Sequence, residues 1–137
     1  MKPVFAASAS IVRTAACFAL LAVALGAFGA HALKGALVER GTLETWKTAV
    51  DYQIWHALAL LLIAAIDGNR RSAACFVLGI LLFSGSLYFI ALGGPSWLGP
   101  VTPLGGLSFM LGWVLLLIRP ASGAPPGGEK TRPPLFP

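Results

Sequence analysis

Residues 26–35 read GAFGAHALKG, and this stretch decides how many times the chain enters a membrane. It closes the apolar run 14–33, TAACFALLAVALGAFGAHAL. Ala30-His31-Ala32 has the small-x-small form that a signal peptidase cuts, and Arg13 precedes the apolar core. Cleaved after Ala32, the chain would keep three apolar segments; uncleaved, it has four. Length favours retention, because export-signal cores run to about 7–15 apolar residues and this run is longer. Ala22, Gly26 and Ala30 also recur every four residues, a small-residue stripe that lets another helix come close. A discarded peptide has no use for such a stripe.

Composition agrees with lipid as the solvent. Of the 137 residues, 57% are hydrophobic and 11% charged, whereas soluble domains carry about 25% charged residues. The net charge of +5 is not gathered into a stripe or an aromatic-interleaved patch, so it reads as membrane orientation and not as nucleic-acid binding. Cys17 and Cys75 are too few for a disulfide scaffold and lack zinc spacing.

Working outward, three further apolar runs follow: 52–66, 73–92 and 101–118. A membrane helix needs about 17–25 residues. The second run is short, but Gly41-Thr42 offers a break and a cap, and Leu43, Trp46, Val50 and Ile54 recur at helical spacing. Its helix is expected from about Leu43. The fold class is therefore an all-α membrane protein, a bundle of four transmembrane helices spanning about 14–33, 46–66, 73–92 and 101–118. Asp67-Gly68-Asn69 reads as a tight turn, and Trp97 as an interfacial anchor between the third and fourth helices. Thr102-Pro103 is a good start for the fourth helix. Residues 1–13 form a cytoplasmic N-terminal segment, and residues 119–137, rich in Pro and Gly, a disordered cytoplasmic tail.

With four spans, Lys2, Arg13, Arg70, Arg71, Arg119, Lys130 and Arg132 fall on one side, against Lys34, Arg40 and Lys47 on the other. The positive-inside rule then places both termini in the cytoplasm. The three exceptions lie in the polar segment 34–51, where Glu39, Glu44 and Asp51 balance them. A folded, partly helical outer cap is expected there.

Four motifs in this order resemble one family. They are GAFGAHALKG, WKTAVDYQIWHALALLL (46–62), LFSGSLY (82–88) and TPLGGLSFMLGW (102–113). They look like the YgdD family of small, multi-span bacterial inner-membrane proteins, grouped under a domain of unknown function, over about residues 15–117. The resemblance implies a multi-pass protein of the bacterial inner (plasma) membrane and no substrate. It also weighs against cleavage at Ala32, since GAFGAHAL is part of the family pattern.

Helical rise orders the polar residues by depth. Counted from the basic boundary residues, His31 lies ~27 Å up and Asp51 ~24 Å up, which allows a His31–Asp51 hydrogen bond. Such a pair would be a polar clamp fixing a hairpin, or a proton-responsive couple. His56 lies ~16 Å up, near the midplane, level with Ser108 and close to Ser84 at ~20 Å. Gln53 shares its helix face, and Tyr88 stands one turn from Ser84. These five could form one buried polar layer: interhelical bonding that sets register, a proton relay, or the floor of a ligand site. Glu44, Lys47 and Asp51 form a solvated stripe, and Cys17 and Cys75 read as packed free thiols. Gly105, Gly106 and Gly112 in the fourth helix, with Gly79 and Gly85 in the third, suggest close helix packing.

No nucleophile–base pair, phosphate loop or metal motif is present, so no catalytic or metal residue and no cofactor are assigned. The leading reading is a structural or accessory bundle whose partners are the lipid bilayer, a second copy or another membrane protein. The alternative is a small proton-linked transporter or channel using His56, although the spans hold no deep carboxylate of the kind such exporters use. A haem or metal redox protein is weaker still, because the two histidines stand ~10 Å apart in depth.

Overall fold

A computed structural model of the chain describes residues 4–66 and 69–118. The expected tail, residues 1–3 and residues 67–68 of the expected turn lie outside the described residues. The described residues form six α-helices: α1 (Val4–Ala30), α2 (Lys34–Glu39), α3 (Leu43–Ala65), α4 (Arg70–Gly79), α5 (Gly85–Ala91) and α6 (Val101–Leu117). A π-helical turn, Ile80–Ser84, joins α4 to α5 into one long third rod. No strand occurs among the described residues. Ala9–Ala30, Leu43–Ala65 and Arg70–Ala91 are long and apolar enough to cross a membrane. α6 is a shorter apolar helix of 17 residues, ~26 Å long.

α1 starts well before residue 14 because no Gly or Pro interrupts residues 4–13. It stops at Ala30, not Leu33, where the Leu33 N–H turns back to Phe28 O (2.9 Å). His31 therefore sits in a turn and not on the helix.

α1 and α3 run antiparallel, and the seam between them is built on small residues. Ala15, Ala22 and Gly29 are buried along α1, each seven residues from the last. The expected stripe is met in part: Ala22 lies in the seam, Gly26 is part-buried near Val50, and Ala30 is exposed. A pair of helices that coil about each other keeps a period of 3.5, so a four-residue stripe drifts out of the seam. Two polar side chains of α3 cross it. Trp46 Nε1 donates to Leu25 O, and Gln53 Nε2 donates to Phe18 O, both at 2.9 Å. Donors and acceptors are each seven residues apart, so the two bonds specify one register. Gly29 makes the first possible, since any Cβ there would overlap the Trp46 indole.

The third rod packs on α3, and α6 packs on the third rod, giving a row in which α1 and α6 are the edges. The last seam depends on glycines facing phenylalanines. Gly79 lies under Phe109, and Gly112 lies under Phe76. The π turn brings the Phe83 backbone against Gly105, where a Cβ would collide with it. Ser86 Oγ donates to Phe83 O (3.0 Å), which leaves Thr102 Oγ1 as the donor in the 2.6 Å contact between the two hydroxyls. Gly106 differs, because a Cβ there would meet only ordinary contact, 3.8 Å from Phe83 Cδ2.

The polar segment forms the expected cap at the His31 end. α2 closes with Gly41 at φ +68°, and the Gly41 and Thr42 N–H groups bond back to Val38 O and Leu37 O. Arg40 then donates to Leu92 O, and Thr42 Oγ1 to Ala91 O (2.8 Å), supplying donors to the carbonyl end of α5. Thr42 holds the N-cap position of α3 but makes no side-chain cap bond; its hydroxyl is used across the fold instead. Gly93, at φ +87°, leaves room for the Arg40 guanidinium. Leu37, Trp46 and Ala91 are buried beneath this cap.

Gly29→Leu is expected to destabilise the folded protein by about 1–3 kcal/mol through overpacking against Trp46. Gly35→Leu, which faces open space, should be near neutral in the same denaturation series in detergent.

Candidate functional site

The most elaborate side-chain environment surrounds His56, on the buried face of α3. Its Nδ1 lies 2.8 Å from Tyr52 O, one turn back on the same helix. A carbonyl can only accept, so Nδ1 carries the proton. Trp113 Nε1 approaches His56 Nε2 at 3.2 Å. An indole N–H can only donate, so Nε2 is the bare acceptor. One protonation state meets both demands: the neutral imidazole with its proton on Nδ1. The ring stacks on Phe109 at 3.5 Å between centroids and 11° between planes, with the Phe76 edge at 5.3 Å. Tyr52 and Phe83, at 4.5 Å, continue the aromatic wall.

These aromatic side chains bridge α3 and α6, and two grooves flank the bridge. One, of about 560 Å³, is lined in part by Tyr52, His56, Phe83, Gly106 and Trp113 and opens sideways. The other, of about 540 Å³, lies between Leu62, Ile66 and the end of α6, and again includes Trp113. Trp113 is thus the wall that the two grooves share. A smaller pocket of about 160 Å³ lies at the His31 end, between Gly26, Gly29, Trp46 and Asp51.

The five residues expected in one polar layer divide into separate groups. Tyr88 Oη donates to Gln53 Oε1 (3.0 Å), and Gln53 passes on to Phe18 O, tying the third rod through α3 to α1. Trp46 packs on the Tyr88 ring at 4.8 Å. His56 belongs to the other side, with α6. Ser108 donates to Cys75 O (2.8 Å) and does not reach His56. Ser84 is buried in the π turn, and its hydroxyl has no hydrogen-bond partner among the described residues. His31 and Asp51 are both exposed, and no hydrogen bond joins them. The turn after Ala30 removes His31 from the helix register that the pairing assumed. Lys47 pairs with Glu44 at 2.7 Å, as the solvated stripe suggested. Cys17 is exposed on α1 and not packed, and Cys75 is half-buried; both are free.

The partners that sequence reasoning missed are Trp46 and Trp113. Each lies inside an apolar helix, and an indole N–H surrounded by lipid requires an acceptor. Counting donors along the spans points to both. Among the described residues no three or more His, Cys, Asp or Glu side chains gather as a metal site.

Trp113→Phe keeps the ring packing and removes the donor to His56 Nε2. It is expected to lower stability by about 1 kcal/mol, whereas Trp97→Phe, at an exposed ring, should change little in the same detergent unfolding assay.

Comparison with known proteins places the chain. The family described as "Protein of unknown function (DUF423)" matches residues 25–106. The UPF0382 membrane protein SAB0533 of Staphylococcus aureus is 44% identical over 105 residues, covering 73% of this chain and 85% of that protein. The UPF0382 membrane protein YwdK of Bacillus subtilis is 42% identical over 107 residues, covering 73% and 86%. No solved structure matches. The apolar helices and these relatives together make the chain an integral membrane protein in contact with lipid, and it belongs to the DUF423 family of UPF0382 membrane proteins.

Proposed function

We propose that the chain is a four-span bundle of the bacterial inner membrane, both termini in the cytoplasm, acting as a structural or accessory protein and not as an enzyme. Within its family it falls with the YgdD group that its motifs resemble. One observation carries the functional reading: apart from the small hydroxyls of Ser72 and Ser84, which stay unpaired among the described residues, the buried polar side chains between the helices are engaged with one another or with helix carbonyls. Gln53, Tyr88, Trp46, Trp113 and Ser108 spend their bonds on fixing helix to helix, and His56 spends Nε2 there and Nδ1 on its own helix. A relay needs groups free to exchange protons from one face to the other.

Arg70 and Arg71 lie at one end of the bundle, and Arg13 lies on α1 nine residues in from its start at that same end. At the other end Lys34 is exposed, Arg40 is engaged on Leu92 O at the end of α5 and Lys47 on Glu44. That asymmetry supports the N-in, C-in orientation. α6, at ~26 Å, is within reach of a hydrocarbon core of about 30 Å when its flanks adjust. The exposed apolar faces of the edge helices α1 and α6 are the surfaces for a second copy or another membrane protein.

The transporter reading has one observation in its favour: His56 lines a groove open to the side. Against it, protonation at Nε2 would set two donors face to face and break the Trp113 bond. The same occupied nitrogens weaken the haem or metal reading.

A reporter fused after residue 118 tests the topology. Cytoplasmic activity is expected; periplasmic activity would mean an odd number of spans or the inverted orientation. Proteoliposomes under a pH gradient test the role of His56. Equal proton flux in wild type and His56→Ala is expected. A flux that the wild type carries and a folded His56→Ala lacks would establish the transporter instead.

A further inference from the structure

The seam between α3 and α6 differs from the other helix contacts. α1 and α3 meet through small residues, and so do the third rod and α6. Across the α3–α6 seam only side chains touch, chiefly His56 on Phe109 and Trp113. On the lipid side of that bridge lies the groove of about 560 Å³. We propose that this groove is a binding site for one acyl chain of a membrane phospholipid, entering from the leaflet at the Pro103 end and ending against Trp113. The proposal rests on α6 spanning the membrane.

Three observations select this occupant. Width is the first. The His56 ring stacks on Phe109 at 3.5 Å between centroids and so closes the seam behind the groove, while a helix with its side chains is about 10–12 Å across. A partner helix cannot enter between α3 and α6, but an extended hydrocarbon chain can lie along the cleft outside the ring stack. Length is the second. From Pro103 to Trp113 the groove follows ten residues of α6, or ~15 Å. That is the depth of one leaflet in a hydrocarbon core of about 30 Å. The third is Gly106. Packing demands glycine at 79, 105 and 112, where a Cβ would strike Phe109, the Phe83 backbone or Phe76. At Gly106 it does not, since the nearest atom would be 3.8 Å away. The missing side chain at Gly106 leaves the groove floor bare.

Trp113 gives the site its end. It is held by the bond to His56, and it separates this groove from the apolar groove of about 540 Å³ at the far end of α6. The indole therefore limits how deep a chain can reach. The same tryptophan that joins α6 to α3 sets the length of the hydrocarbon accepted.

The test is native mass spectrometry of the full chain released from membranes in mild detergent, with the bound lipids identified after extraction. Wild type and Gly35→Leu are expected to retain a phospholipid adduct. Gly106→Leu, whose Cβ meets Phe83 only at ordinary contact distance and whose branch fills the groove, should lose it. Trp113→Ala joins the two grooves and should shift the retained phospholipids toward longer acyl chains. The proposal is overturned if wild type carries no lipid or Gly106→Leu keeps the wild-type adduct. It is equally overturned if the retained lipid is an isoprenoid, or if Trp113→Ala leaves the chain-length profile unchanged. Helical circular dichroism and the C-terminal topology reporter are read on the same variants. A changed topology would overturn the four-span bundle, whereas unchanged topology with no lipid would overturn only the groove.

Discussion

A polar group inside a bilayer has no water to fall back on, and this constraint organises the protein. The large buried polar side chains brought into the apolar helices find their partners on a neighbouring helix or on their own turn, and only the hydroxyls of Ser72 and Ser84 stay unpaired among the described residues. Trp46 finds Leu25 O, Gln53 finds Phe18 O and Tyr88, and Trp113 finds His56. Individually such bonds contribute little, about 0.6 kcal/mol on average in a membrane protein. Their larger effect is on choice among alternatives. A register slip in α3 would leave an indole and an amide unpaired together, because both bonds repeat at the same seven-residue interval.

Small residues are the complement of those bonds. The hydrophobic effect does not drive helices together in lipid, so close approach must come from shape. Gly29 lets an indole lie across α1, and Gly105 lets a π turn lie against α6. The cap at the His31 end applies the same logic to helix termini. Arg40 and Thr42 satisfy the carbonyls that α5 leaves open, and Gly93 clears the way for the guanidinium. α6 is held by the same means, on one side by glycine–phenylalanine contacts and on the other by a single histidine.

Much of this was legible in the residues, and the failures share a cause. Apolar run length points to α1, α3, the third rod and α6, and the polar segment 34–51, whose charges balance, reads as a cap. The layer expected around His56 includes both Gln53, by helix face, and Tyr88, by its distance of one turn from Ser84, and these two bond to each other. Depth alone, however, says nothing of azimuth. His56 and Ser108 were assigned to one level, yet Ser108 points to Cys75 O and His56 to Trp113. The π turn at Ile80–Ser84 adds to the difficulty, since it rotates the part of the third rod that follows it and no simple periodicity announces it. His31 was placed by continuing α1 three residues too far. Trp46 enters the reading only through apolar spacing and a motif, and Trp113 only as part of a motif, although each carries a donor that the fold pairs.

The reading of His56 as a structural acceptor, and not a proton carrier, rests on its tautomer. Solid-state nitrogen NMR of histidine-labelled protein in bilayers at neutral pH measures that tautomer directly, with His56 assigned by comparison with the His31→Ala variant. The expected spectrum shows a neutral ring protonated at Nδ1, with Nε2 bare and hydrogen-bonded. A ring protonated at Nε2, or at both nitrogens, would contradict the Trp113 bond and reopen His56 as a group that carries protons.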